Sequence, residues 1–238
     1  MKIQVQAPES SCHDVLRKQV RTAIERIRIG RPTKSVIMVG PRGVGKTALL
    51  NRFFHEMENS QVQCVLVNAA KSRSLPSMLT TALHLALLRM SAVDAAKTSA
   101  ARGLKALANF SQTLKAKFAD IEIVLDYEPE AGLADNGDLD SDLTALLVQI
   151  GTAAKAADTA LVVFMDDMQY IEQAQLAALI SALHRLSQLA LPVILVGAGL
   201  PQIRGRAGNA RSYAERMFEY PEIEPLDTTL LKALEQGK

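Results

Sequence analysis

An α/β fold built on a mainly parallel sheet is predicted by three observations. The glycine-rich octapeptide Gly40-Pro41-Arg42-Gly43-Val44-Gly45-Lys46-Thr47 sits between a strand-like run, Ser35 to Val39, and an apolar, helix-friendly run from Ala48 to Phe54. A second apolar run, Ala160 to Met165, ends in the pair Asp166-Asp167. Along the rest of the chain, short apolar runs alternate with longer segments of helical periodicity, as strands joined by crossover helices do.

Val15 to Ile29 carries the apolar stripe of an amphipathic helix that covers a core. Strand one is Ser35 to Val39, and the helix after the octapeptide runs from Lys46 to Glu58. Strand two spans Val62 to Val67 and ends at Asn68, a polar residue expected beside the tip region of the first strand. Leu75 to Met90 reads as a helix apolar on most faces. Ala92 to Phe118 is rich in alanine and lysine, with Gly103 its one breaker, and reads as a longer, more exposed helix. From Asp120 to Asp140 the rhythm breaks. Ile121, Ile123 and Leu125 alternate as in a short half-exposed strand, and Pro129, Gly132 and Asp135-Asn136-Gly137-Asp138 form loops. The carboxylates there lack the spacing and closing Glu of a Ca²⁺ loop; Asp138, Asp140 and Ser141 are expected to cap the next helix. That helix sets Leu143, Leu146, Leu147 and Ile150 on one face and ends near Ala157. The acidic strand follows, then a helix from Glu172 to Leu189 with Leu176, Leu179, Ile180, Leu183 and Leu186 inward. Strand four, Pro192 to Val196, opens into Gly197-Ala198-Gly199-Leu200-Pro201.

The octapeptide is a P-loop. A nucleoside triphosphate must be held by its oxygens, so the loop needs glycines that let consecutive backbone N–H groups point inward, and a following helix that aims its positive end at the phosphates. Gly40, Gly43 and Gly45 supply that freedom, with Pro41, Arg42, Val44 and Ala48 completing the binding segment. Lys46 is expected on the β and γ phosphates, and the Thr47 hydroxyl on Mg²⁺. A parallel strand buried on both faces and ending in carboxylates opens its tip into a site. Asp166 is therefore assigned to the Mg²⁺ shell. Asp167 has two open readings: it orients or deprotonates the attacking water, or it caps the segment that follows.

At 238 residues, with 48% hydrophobic and 22% charged, the chain is long enough for one core of this kind. It has no apolar run approaching the roughly 20 residues of a membrane span, and no signal-peptide stretch at its start, which predicts a cytoplasmic protein. Cys12 and Cys64 are too few for a disulfide framework, and His13, His55, His84 and His184 lack zinc-ligand spacing. A net charge of +2 does not announce a nucleic-acid binder. The basic residues cluster nonetheless. Arg17, Lys18, Arg21, Arg26, Arg28, Arg31 and Lys34 crowd the N-terminal segment as a solvated helix face or a phosphate-contacting patch; Arg204, Arg206, Arg211 and Arg216 form a second group.

The order of P-loop, acidic strand, Gly197-to-Pro201 turn and the stretch Ala210 to Phe218 resembles bacterial ATP-binding proteins of the AAA superfamily, near the origin-recognition and STAND-type ATPases. The resemblance runs from about residue 25 to about residue 226. It implies a P-loop NTPase three-layer α/β/α sandwich with a five-stranded sheet in the order 5-1-4-3-2 and a short last strand at Met217 to Ile223. It divides residues 1–238 into an N-terminal helix (1–34), a nucleotide-binding core (35–226) with an insertion (90–140), and the start of a missing helical lid (227–238), as expected of a core fragment. It implies ATP and Mg²⁺ as cofactors, a possible homo-oligomer, and a protein or DNA partner reached through further domains. Members commonly have Asp-Glu at Asp166-Asp167, a change that sets the attacking water farther from the acid. They also carry a polar phosphate sensor at the tip of strand four, where this chain has Gly197-Ala198-Gly199. Gln169 is either a substitute for that group or a surface residue. Arg216 stands where such proteins place an arginine that reaches a neighbouring subunit's nucleotide, with Arg211 as second choice and an ion pair to Glu215 or Glu219 as the plainer role.

Three functional classes follow: an ATPase that remodels or loads a partner, a slow-turnover signalling switch, and a small-molecule kinase whose acceptor pocket would lie in the insertion. No Asn-Lys-x-Asp guanine-reading motif follows the fourth strand, so ATP is the expected nucleotide.

Overall fold

The computed structural model describes residues 8–60, 62–121, 125, 127–128 and 130–224, the side chains of residues 8–13 excepted. In chain order the elements are α1 (Pro8–Arg28), β1 (Ser35–Val39), α2 (Lys46–Glu58), β2 (Gln63–Asn68), α3 (Leu75–Ser91), α4 (Lys97–Leu114), α5 (Leu139–Ala156), β3 (Leu161–Asp166), α6 (Gln173–Gln188), β4 (Val193–Gly199), α7 (Gln202–Ala210), α8 (Ala214–Met217) and β5 (Phe218–Glu219). Short 3-10 turns, Asp94–Ala96 and Met168–Tyr170, precede α4 and α6.

The five strands form one parallel sheet in the order β2-β3-β4-β1-β5, the 5-1-4-3-2 arrangement expected. Strand alternation divides its side chains cleanly. Ile37, Val65, Val163, Met165 and Leu195 enter one core, while Val36, Met38, Val162, Phe164, Ile194 and Val196 enter the other. The second core is closed by α1 and α2 through Val20, Ile24, Leu50 and Phe53. The first is larger and is closed by α3, α5, α6 and α7. Complete burial of a side chain such as Phe164 or Leu50 stabilises by about 2–3 kcal/mol. Both faces being covered is why β1, β3 and β4 are continuously apolar in sequence and buried at every position.

Local chemistry sets the helix starts. Ser74 accepts from the Ser77 N–H at the head of α3, and Pro76 occupies the first turn, where its missing donor costs nothing. Asp138 caps α5 through the Ser141 N–H at 2.9 Å, as expected. Asp140 takes a different role, accepting from Arg211, and buried Asp142 ties the preceding loop by accepting from the Asn136 and Gly137 N–H groups.

Several expectations are corrected. Asn68 pairs in register with Asp166, and β3 and β4 stand between it and β1, because β2 is an edge strand. The segment 92–118 is not one exposed helix. A 3-10 turn precedes α4, which packs between α3 and α5 and buries Leu104, Leu107, Phe110 and Leu114. Its Gly103 is a contact point, since a Cβ there would lie 2.5 Å from Leu87 Cδ2. Ile123 and Pro129 lie outside the described residues; flanking Ile121 and Leu125 are buried rather than half-exposed. The last strand is shorter than expected, Phe218–Glu219 plus one bridge from Val39 to Glu222.

Candidate nucleotide site

The P-loop follows β1 and turns directly into α2. Gly43 and Gly45 have φ of +83° and +87°, the left-handed region that favours glycine, and Gly45 is the residue from which α2 starts. Gly40 is glycine for another reason: a Cβ would lie 2.3 Å from the Ile223 carbonyl oxygen. Lys46 folds its amine back onto the Pro41 carbonyl at 2.5 Å. Burial lowers the Lys46 pKa, and the carboxylates of Asp166 and Asp167 act in the opposite sense. Thr47 and Ala48 are exposed on the same loop, and Val44 is buried beneath it.

The acids arrive from β3, which is separated from β1 by β4. Asp166 is the last strand residue, is 5% exposed, and accepts from the Asp167 N–H at 2.8 Å. The chain then breaks sharply. Asp167 adopts φ 52°, ψ 36°, a left-handed conformation that costs a non-glycine residue about 1 kcal/mol and that Asp tolerates better than most. That turn places Asp167 outside the strand and exposed. Its carboxylate accepts from Gln169 Nε2 at 2.7 Å.

Three neighbours of this site were not assigned a role from sequence. Tyr170 accepts from Arg42 of the P-loop at 3.1 Å, and Lys71, from the loop after β2, stands 5.3 Å from the Tyr170 ring centroid. Arg206 of α7 donates to the carbonyls of Gln169 and Ile171 and so fixes the 3-10 turn. No spacing rule marks these contacts, because each depends on strand order. Gln169 is half-buried and is not a free surface residue.

Arg216 lies at the other end of the sheet. It precedes Phe218, which is in register with Ser35, whereas the P-loop follows Val39, about 13 Å along the strand. Arg216 is exposed and lines a cavity of about 450 Å³ with Lys34, His184 and Tyr213. Among the described residues it makes no ion pair; Glu219 instead accepts from Gln19. Arg211, the second choice, is tied to Asp140 at 3.2 Å and to Ser181 at 2.8 Å. The N-terminal cluster is largely an exposed helix face, with Arg17 paired to Glu56 and Arg28 to Glu25.

The residues present fit a nucleoside triphosphate with Mg²⁺. Backbone freedom at Gly43 and Gly45, an amine, an exposed hydroxyl and a buried carboxylate at the C-terminal ends of β1 and β3 are the set of groups such a ligand requires.

Comparison with known proteins agrees. A solved structure of Drosophila ORC bound to poly(dA/dT) DNA and Cdc6 matches with a TM-score of 0.53 at 11% identity, over 95% of this chain and 31% of that one. A second, of Drosophila ORC bound to GC-rich DNA and Cdc6, matches with a TM-score of 0.49 at 11% identity, over 99% of this chain and 35% of that one. The chain thus spans about a third of the length of these structures. At 11% identity the likeness to the first is one of fold alone. No curated protein matches the sequence. The sequence profile of the AAA ATPase domain matches residues 12–196, well over half of the chain, and with the P-loop, the acidic strand and the sheet order in agreement this chain belongs to that family.

Proposed function

We propose that this ATP-binding domain takes up Mg·ATP at the P-loop and hydrolyses it to drive a conformational change or assembly with a protein or DNA partner. The observation that carries the reading is the placement of the P-loop, with Gly43 and Gly45 at positive φ, after β1, and of buried Asp166 at the end of β3 in the same parallel sheet, with exposed Asp167 in the turn that follows. Lys46 and the loop N–H groups offset charge on the phosphate oxygens. Thr47 and Asp166 hold the metal. Bound Mg²⁺ supplies further neutralisation of the phosphates. Asp167 orients or deprotonates the attacking water. Arg216, exposed at the opposite end of the strands, serves the site of a neighbouring copy rather than its own.

The slow-switch alternative has the shorter acid in its favour: Asp167 stands where members commonly carry Glu. The kinase alternative has none, since α4 fills the insertion by packing on α3 and α5.

Phosphate release from Mg·ATP, measured beside Lys46→Ala and Arg216→Ala at several protein concentrations, tests the reading. Turnover that needs Lys46, rises per subunit with concentration and loses that rise in Arg216→Ala is expected. Binding of ATP without turnover at any concentration would favour the switch. For DNA, salt-sensitive retention that disappears when Arg26, Arg28 and Arg31 are neutralised is expected of a phosphate-contacting N-terminal segment; unchanged retention removes that partner.

A further inference from the structure

We infer that Gln169 is a positioning residue, whose side-chain amide holds the Asp167 carboxylate against the tip of β4. The inference rests on the hydrolytic role proposed for Asp167. Both ends of the amide are used: Nε2 donates to Asp167 Oδ1 at 2.7 Å, and Oε1 accepts from the Leu200 N–H at 3.1 Å. Among the described residues Gln169 is the sole hydrogen-bond partner of that carboxylate. The strand tip is shaped to admit it. A Cβ on Gly199 would stand 3.3 Å from Gln169 Oε1, and β4 ends in Gly197, Ala198 and Gly199, none of which brings a polar side chain of its own.

The backbone beneath Gln169 is held on both sides. Before it, Met168 is fully buried against Gly197, where a Cβ would meet its sulfur at 2.3 Å. After it, the Arg206 guanidinium clamps the carbonyls of Gln169 and Ile171. An exposed carboxylate on a left-handed residue has many orientations open to it, and an amide fixed at both ends selects one. Gln169 thereby couples the β3 acid to the backbone of β4, the strand lying directly beside the P-loop strand.

Two variants separate the halves of this bridge. Gln169→Met keeps the length and loses both hydrogen bonds. Gln169→Glu keeps an acceptor for Leu200 but has no donor for Asp167. Turnover should fall about 10–100-fold in both, with KM and ADP affinity within twofold of the parent. In the nucleotide-free protein, Leu200 amide hydrogen exchange should quicken at least tenfold in Gln169→Met and stay near the parental rate in Gln169→Glu. Undiminished turnover in either variant overturns the inference, as does unchanged Leu200 exchange in Gln169→Met. Asp167→Asn is measured alongside. If it retains full turnover, the role given to Asp167 fails; if it is inactive while the Gln169 variants are not, the positioning role alone fails.

Discussion

The tips of β1 and β4 are adjacent, both are rich in glycine, and they use glycine for opposite reasons. At Gly43 and Gly45, after β1, an added Cβ would meet nothing within 4 Å, and the requirement is the positive φ. At Gly197 and Gly199 on β4, no φ lies in the left-handed region, and the requirement is room, for Met168 and for Gln169. The first tip is a surface built to receive a ligand. The second is a notch filled by side chains from β3's far end. Glycine count alone does not distinguish a binding loop from a packing site; the neighbouring atoms do.

Gly40 tests the division, since it belongs to the P-loop by sequence and to the notch class by geometry. Gly40→Ala should cost about 3 kcal/mol in chemical denaturation, because a backbone carbonyl rather than a flexible side chain stands in the way. A cost below about 1 kcal/mol would mean that Ile223 gives way, and the division would blur. Gly197→Ala should cost about 2 kcal/mol, and Met168→Ala in the same chain should remove most of that added penalty in a double-mutant cycle. Simple additivity would place the strain elsewhere. Gly43→Ala should cost about 1 kcal/mol, through backbone conformation, with no partner substitution able to relieve it. Gly205→Ala, in the middle of α7 with nothing within 4 Å and no positive φ, should stabilise by about 0.5 kcal/mol, the opposite sign. A thermal melt that moved downward would show that α7 uses this glycine.

Much of the fold was legible. The continuous apolar runs of β1, β3 and β4 mark strands covered on both faces, and the P-loop and Asp166-Asp167 announce themselves by type and position at strand ends. What was not legible depends on which strand lies beside which. Asn68 was expected near the first strand, yet an edge position for β2 sets it beside Asp166. The alanine-rich stretch of α4 reads as exposed because small residues carry little apolar signal, but small residues are what let α4 lie close on α3 at Gly103 and Leu87. Arg211 and Arg216 are alike in sequence and differ in fate, one tied to Asp140 and Ser181 and one exposed, because the polar groups that α5 and α6 offer lie within hydrogen-bond reach of only the first. The Gln169 bridge combines a turn after β3 with a main-chain N–H after β4, and spacing along the chain encodes no such pairing.

The chain beyond β5 returns to lie along the tip of β1. Val39 donates to the Pro221 carbonyl and accepts from the Ile223 N–H, while the Ile223 carbonyl closes on Gly40. The segment after the last strand is therefore held to β1 by main-chain hydrogen bonds. Residues 221 and 223 are bonded main chain to main chain to the residue that precedes the loop, and the Ile223 carbonyl leaves no room for a side chain on Gly40. Displacing this short segment must break both main-chain hydrogen bonds that hold it to Val39, the last residue before the loop.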